Sequence, residues 1–381
     1  MKNKLTGLSL FANVGVAEAY FKEIGVDIVL ANELIPERAR FYSAVYPWAE
    51  MVCGDICDNA IRDGIVEKSL QKKVDFIIAT PPCQGMSKLG SMDPHDVRNQ
   101  LIYYAVDVIK RVKPKYVMIE NVPQVLITRI TVDGQGMLIP DYLVRELGGD
   151  YTFNSDPRIR EMDYGVPQMR ARSIFLLARK DTGITWEYPQ KESHQVNMRE
   201  AIGTLPSLDP LLKEGLDETL RMFPDYEKKR LQGLKVSKWH YPPRHNKRQV
   251  EWMMHTPSGT SAIYNETFYP IKTDGSRISA HENQYRRHSW EKPCRTITQN
   301  NGVISSLCCV HPGRAYIDKN GETLYSDPRV LSIYELLIVS SLPTNWPIPD
   351  WADETMIRHV IGEGVPPLLV KKVMLELTSK I

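Results

Sequence analysis

A cysteine, Cys83, follows Pro81 and Pro82 in the stretch ATPPCQGMS, directly after the apolar run VDFII at residues 74–78. Proline fixes its own φ and restricts the residue before it, so the thiol is held stiffly at the mouth of a buried strand. A carboxylate, Glu120, stands at the end of the next strand-like run, VMIENVPQV. Arg170 and Arg172 lie two apart in YGVPQMRARSIFLL, a spacing that puts both on one side of an extended strand. A thiol, an acid and two cations are the parts of a site for nucleophilic chemistry. Each alone has a plainer use: turn packing for Cys83, a helix N-terminus for Glu120, surface ion pairs for the arginines. In this order, and at strand ends, they argue for a joint role.

The elements that must position them follow a βαβα rhythm. LTGLSLF reads as a strand, and AEAYFKEIG after Gly15 as a helix ending at Gly25. DIVLANE, MVCGDI, VDFIIAT, KYVMIENV and RSIFLLAR read as further strands, with helices at FYSAVYP and LIYYAVDVIKRVKP. This predicts an α/β fold with a parallel sheet. Ligands of such sheets sit outside the carboxyl ends of the strands, where Gly15, Glu33, Asp55, Cys83 and Glu120 all fall. From about residue 186 the rhythm breaks into prolines, charges and aromatics, which predicts a second, irregular domain. A helical pattern returns after Pro367 in PLLVKKVMLELTSKI. The expected division is 1–185 plus 356–381 for the larger domain and 186–355 for the smaller.

At 381 residues, with 42% hydrophobic and 25% charged content, the chain has room for two globular domains. No apolar run reaches the roughly 18 residues of a membrane span. The N-terminal MKNKLTGLSLFANVG weakly mimics a signal peptide, but Thr6, Gly7, Ser9 and Asn13 interrupt it, and a first strand fits better. Six cysteines without a CxxC pair give no support to a zinc site or a disulfide framework, and reduced thiols suit the cytoplasm. The net charge of +2 makes no global case for nucleic acid. Locally, between 225 and 250, eight basic residues (Lys228, Lys229, Arg230, Lys235, Lys238, Arg244, Lys247, Arg248) face two acidic ones, interleaved with Trp239, His240, Tyr241 and His245. That mixture suits phosphates and base edges, and equally suits a solvated loop.

Taken together, these motifs resemble those of the DNA (cytosine-5-)-methyltransferase family, of the bacterial restriction-modification type, over nearly the whole chain. LSLFANVG resembles the cofactor loop, ANE and GDI its two acidic tips, PPCQGMS the nucleophile motif, and ENV matches unchanged. YGVPQMRAR is similar to QxRxR, EKPCRTIT and DPRVLSIYELLIVSSLPTNW to the late elements, and IGEGVPP to the terminal GNxVP. The resemblance implies a Rossmann-like S-adenosylmethionine-dependent methyltransferase fold with a smaller target-recognition domain. It implies transfer of a methyl group from S-adenosyl-L-methionine, leaving S-adenosyl-L-homocysteine, to carbon 5 of a flipped-out cytosine in duplex DNA.

In that reading Cys83 adds to carbon 6 of the ring, Glu120 binds nitrogen 3 and the exocyclic amine, and Arg172, helped by Arg170, holds the base oxygen. Glu33 suits the cofactor's ribose and Asp55 its adenine amine, with Leu34 and Ile56 sandwiching the ring. Phe11, Ala12, Asn13, Gly15, Pro81, Leu101 and Glu363 complete the implied cofactor site, and no metal is implied. The segment QGMSKLGSMDPHDVRNQ reads as a loop that closes over DNA, with Gln84 and Ser87 near the vacated space and Arg98 on a phosphate. Arg244, Lys247 and Arg248 are the expected DNA contacts of the basic patch. The implied protein is a cytoplasmic, nucleoid-associated monomer paired with a cognate restriction endonuclease, and not a membrane protein.

Asn13 and Val16 stand where the family usually has glycines, Met86 where it has Phe, and Ile338 and Ser340 where it has Arg and Gln. Glu363 and Gly364 occupy the asparagine-and-small position of the last motif. Two other functions share parts of this pattern: a transfer-RNA cytosine-5 methyltransferase, and a catalytically inactive DNA-binding regulator. The long irregular region favours DNA over tRNA, because reading a major groove needs loops. The intact Cys83, Glu120, Arg170 and Arg172 count against an inactive regulator.

Overall fold

The computed structural model describes residues 5–82 and 100–381. Cys83, Gln84, Ser87 and Arg98 lie outside the described residues.

Strands β1 (Leu5–Leu10), β2 (Val26–Glu33), β3 (Glu50–Cys53), β4 (Phe76–Ala79) and β5 (Tyr116–Asn121) are parallel. The short hairpin β6 (Arg129–Val132) and β7 (Gln135–Leu138) stands apart, and β8 (Tyr151–Phe153), β9 (Arg158–Arg160), β10 (Gln168–Met169) and β11 (Ala171–Arg179) follow. The main sheet runs β3-β2-β1-β4-β5-β11-β8, with β11 antiparallel to β5. Strand order reverses between β1 and β4. The crevice outside their carboxyl ends is therefore the expected ligand position of a doubly wound sheet.

Alternation sets the two faces. Ile77, Ala79, Val117 and Ile119 pack under helices α2 (Asn59–Gln71), α3 (Leu101–Val112) and α4 (Ile139–Leu147). Their neighbours Phe76, Ile78, Tyr116 and Met118 pack on the opposite face with Phe21, Ile24, Trp186 and the last helix. Both faces are covered, so the central strands are apolar throughout, as buried parallel strands must be. On α3, Ile102, Ala105, Val106, Ile109 and Val112 form the buried stripe.

The segment after Gly15 departs from expectation. It forms two 3-10 turns, Val16–Glu18 and Phe21–Ile24, in place of an α-helix. Glu18, Phe21 and Ile24 are its main inward residues, and a spacing of three suits a helix with three residues per turn. The Tyr46 ring closes on Gly15, whose φ is 78°, and Tyr46 Oη donates to the Gly15 carbonyl at 2.5 Å.

The remaining helices are α1 (Pro36–Val45), α5 (Met198–Ile202), α6 (Leu216–Met222), α7 (Tyr226–Val236), α8 (Lys247–Met254), α9 (Ile333–Val339), α10 (Glu354–Glu363) and α11 (Pro367–Thr378). Residues from α1, α5, α9 and α10 share one core with Ala12, Val14 and Val16 of the first loop. Helix α11 buries Leu369, Val370, Val373, Met374 and Leu377 against the sheet beside Phe21 and Ile24. Between 255 and 330 the chain is mostly irregular.

A buried ionic cluster organises that region. Arg329 is fully buried and bonds Asp327 at 2.8 Å and Glu335 at 2.7 Å. Asp327 also accepts from the Leu208 amide and the Ser207 hydroxyl, so one cation joins three segments. Burial opposes the ionised form of Glu335, but Arg329 and then His311 overcome it and hold the carboxyl down to about 2. Breaking a buried pair leaves an uncompensated charge, so Arg329→Leu is expected to lose about 3–5 kcal/mol in a denaturant melt. The sign of the pH effect follows from the lowered carboxyl. Its stabilisation is complete above the ordinary glutamate range and is lost as pH falls from about 4.5 toward about 2. Acid titration of wild type and Glu335→Gln checks this: the variant is expected to be less stable at neutral pH, with the gap closing in that window.

Candidate active site

Every residue of β5 is buried, so the strand delivers Glu120 and Asn121 to the crevice with little freedom. Asn121 Nδ2 donates to the Pro81 carbonyl at 3.1 Å. That bond ties the end of β5 to the proline step that leads into Cys83. Across the sheet, Ile174 of β11 lies opposite Glu120, and Arg172 sits two residues earlier. Its Nε meets Glu120 Oε1 at 2.8 Å, with both side chains about nine-tenths buried. Burial raises the Glu120 carboxyl, while Arg172 and Arg170 pull against it. The result is an acid that changes protonation easily when a ligand displaces its cation.

Arg170 is placed differently from its neighbour. It is buried between β10 and β11 and donates to the carbonyls of Ile297 at 2.9 Å, Gly362 at 3.2 Å and Glu363 at 3.3 Å. Gln168 makes a parallel stitch, accepting from the Ile297 amide and donating to the Val339 carbonyl. The two side chains bind the QxR segment to Ile297, just past the short strand Cys294–Arg295, and to the ends of α9 and α10. Arg172 reaches Glu120, and Arg170 holds the frame around it.

The first loop is strained in a way that bears on function. Phe11 and Asn13 have φ of 57° and 48°, a region that bulky residues avoid. Glu33, at the tip of β2, accepts the Asn13 amide on Oε2 and the Ile35 amide on Oε1, both at 2.9 Å. Each oxygen keeps a lone pair for another donor. Leu34 is 59% exposed while Ile56 is buried. Asp55 is exposed, one oxygen accepting the Cys57 amide. Ala12 and Pro81 are buried, and Leu101 opens α3 half-buried.

The unusual Asn13 and Glu363 meet. Asn13 Nδ2 donates to Glu363 Oε2 at 2.9 Å across 350 residues of sequence. Arg38 bonds the same oxygen at 2.9 Å, and His359 meets Oε1 at 2.9 Å. Sequence reasoning did not single out Arg38, His359 or the buried Glu161 beside Arg170. Arg38 and His359 carry a helix-face signal only once Glu363 is known to point their way.

The basic patch is partly neutralised. Lys229 pairs with Asp209, Arg230 with Glu227, Lys238 with Asp350 and Lys247 with Glu218. Arg248 lies over the Trp252 ring at 5.3 Å, and Arg244 is exposed. Among the described residues no group of acids, histidines and cysteines could hold a metal, and no helix is long and apolar enough to cross a membrane.

Known proteins resemble this chain in sequence and in fold. The family described as C-5 cytosine-specific DNA methylase matches residues 5–379. The Type II methyltransferase M1.HgaI of Avibacterium volantium is 41% identical, covering 100% of each chain. M.XorII of Xanthomonas oryzae is 26% identical over 96% of this chain and 83% of its own. A prophage-encoded methyltransferase of E. coli shares the fold with a TM-score of 0.66 at 19% identity, covering 99% of both chains. The Entamoeba histolytica methyltransferase EhMeth gives 0.61 at 13%, covering 99% of this chain and 98% of its own. With a match that runs through the sheet, the Glu120–Arg172 pair and the last helix alike, this chain belongs to the C-5 cytosine-specific DNA methylase family.

Proposed function

We propose that this DNA cytosine-5 methyltransferase acts through a covalent Cys83 adduct at carbon 6 of a flipped-out cytosine, as the modification partner of a restriction endonuclease. The observation that carries the reading is the Glu120–Arg172 ion pair beside the Asn121–Pro81 tether, one step from Pro82 and Cys83. Carbon 5 of cytosine is a poor nucleophile, and adding a thiolate at carbon 6 makes it an enamine. Cysteine suits the task because it attacks well and leaves well. Glu120, protonated from solvent before the addition, donates to nitrogen 3 and accepts from the exocyclic amine as negative charge develops, while Arg172 turns from Glu120 to the base oxygen. Arg170 keeps the strand in place. Once carbon 5 carries the methyl group, its proton passes to a base such as water, the C–H electron pair re-forms the ring double bond, and the carbon 6–sulfur bond breaks to release the Cys83 thiolate.

The described residues fit S-adenosylmethionine, which when bound supplies the electrophilic methyl group. Glu33 has lone pairs left for ribose hydroxyls. Asn13 Oδ1 is buried without a hydrogen-bond partner among the described residues, an acceptor waiting for a donor such as an ammonium. Leu34 and Ile56 offer apolar faces to the adenine, and Asp55 a carboxylate to its amine. Phe11, Ala12, Gly15, Pro81, Leu101 and Glu363 are the remaining residues of the proposed cofactor site. The protein works as a monomer in the cytoplasm, bound to duplex DNA.

Labelled cofactor incubated with duplex DNA and with tRNA tests the reading: label is expected as 5-methylcytosine in the duplex alone. Bisulfite sequencing of DNA from a host making the protein then reports the site. Transfer to tRNA, or none to DNA, overturns it.

Arg244, Lys247 and Arg248 make a separate prediction. Each phosphate contact adds about 0.9 to the slope of log affinity against log salt. Replacing all three with glutamine is expected to lower that slope by about 2 rather than 3, because Lys247 is already matched by Glu218 and Glu251. An unchanged slope in a salt titration of DNA binding makes the patch ordinary surface.

A further inference from the structure

Glu161 opens the 3-10 turn Glu161–Tyr164 and is completely buried. Neither of its carboxyl oxygens has a hydrogen-bond partner among the described residues. Oε1 lies 3.8 Å from Arg170 Nε, close enough for attraction and too long for a hydrogen bond. The Glu161 amide donates to the Arg170 carbonyl at 2.9 Å, so the two residues are fixed to one another. A carboxylate without donors in a low-dielectric site, near a second carboxylate, is unfavourable, and the protonated acid is the form that fits.

The charges facing it come from two elements. Arg170 and Arg172, from the β10–β11 segment, favour ionisation; Glu120, from β5, opposes it. Among the described residues, the other charged groups nearby are engaged elsewhere. On its own turn Asp163 is held by Arg160 and Lys191, on α10 Glu363 by Arg38 and His359, and on α11 Lys372 by Glu192. Burial outweighs both arginines and pushes the Glu161 carboxyl up to about 8.

We propose that Glu161 is a positioning residue for methyl transfer: as an uncharged acid behind Arg170 it adds no negative charge to the set that Arg170, Arg172 and Glu120 form. The positive charge of that set is then undiminished as negative charge develops on the ring during thiolate addition. When Glu161 releases its proton to solvent, its carboxylate offsets that positive charge and competes with the three carbonyls for Arg170. This inference rests on the proposed mechanism and deepens it.

The test compares wild type with Glu161→Gln in single-turnover methyl transfer, taking for each protein the ratio of its rate at about pH 9 to its rate at about pH 7. The ratio is expected to be at least about fivefold higher in the variant, because the group that titrates in between is gone. In parallel, infrared spectroscopy of the whole protein reads the carbonyl stretch of a buried carboxylic acid. Glu18, buried and pushed up by that burial to about 7, contributes a band of its own, so Glu161 is read in the difference between wild type and Glu161→Gln; that difference band is expected near neutral pH and lost on raising the pH. Equal rate ratios overturn the proposal, as does a difference spectrum without that band. Should Glu161→Gln fail to fold, Glu161→Met, uncharged and of similar length, carries the same expectations. A wild type that moves no methyl group at any pH sinks the mechanism itself, and the infrared titration still reads whether Glu161 holds a proton.

Discussion

Cys83→Ser is expected to reduce methyl transfer to duplex DNA by at least about 10⁴-fold while cofactor affinity stays within about twofold. A serine hydroxyl is a far weaker nucleophile than a thiolate unless a base activates it. Among the described residues, the acid beside the site, Glu120, is paired with Arg172. Its task is to donate a proton toward nitrogen 3 as charge builds on the ring, which is the opposite of activating a hydroxyl. Rapid-quench single-turnover assays and equilibrium cofactor titration make the two measurements. Duplex containing 5-fluorocytosine at the modified position gives a second readout. Wild type is expected to form a stable adduct that mass spectrometry places on Cys83, and the serine variant none. Turnover by Cys83→Ser within about tenfold of wild type contradicts the covalent mechanism.

The Glu120–Arg172 pair should give the next largest effect. Glu120→Gln and Arg172→Leu are each expected to slow methyl transfer by about 10²–10³-fold. The two losses should not add, because each substitution strands the other partner in the crevice. A double-mutant cycle on the single-turnover rate tests this, and strictly additive losses would show that the residues act separately. Stability carries an independent sign. Burial leaves the folded Glu120 carboxyl above its ordinary value, so the folded state holds a proton that the unfolded chain has released. Its contribution to stability therefore falls as pH rises above about 4.5. Glu120→Gln removes that slope, and the difference between variant and wild-type melting temperatures should shift in the variant's favour from pH 4 toward neutrality.

What could be read ahead of the structure was whatever repeats locally. Apolar runs separated by helical patterns announced the parallel sheet, and Glu33 and Glu120 fell at strand ends because the acid simply follows each run. The resemblance implied that Arg172 holds the base oxygen; its pairing with Glu120 was not read from the sequence. The 3-10 turns were hidden because AEAYFKEIG satisfies a helical spacing as readily as a spacing of three, and only the tight approach of Tyr46 to Gly15 distinguishes them. Arg170 and Arg172 share a motif and not a destination: one binds three carbonyls, the other a carboxylate. A two-residue spacing carries no record of the break between β10 and β11. The basic run looked stronger as sequence than as surface, since Asp209 and Asp350, which neutralise two of its lysines, lie far from it in the chain. Asn13 and Glu363 were flagged as separate oddities, and their contact across the fold turns two departures into one coupled feature.

The packing of α11 on the turns that follow β1 has a consequence for biogenesis. A ribosome extrudes residues 367–378 well after β1, so the apolar face formed by Phe21, Ile24, Phe76 and Ile78 emerges long before its cover. Vectorial synthesis thus delays closure of that layer until residues 367–378 have emerged, and through that interval the nascent chain presents an uncovered apolar face of the kind chaperones shield.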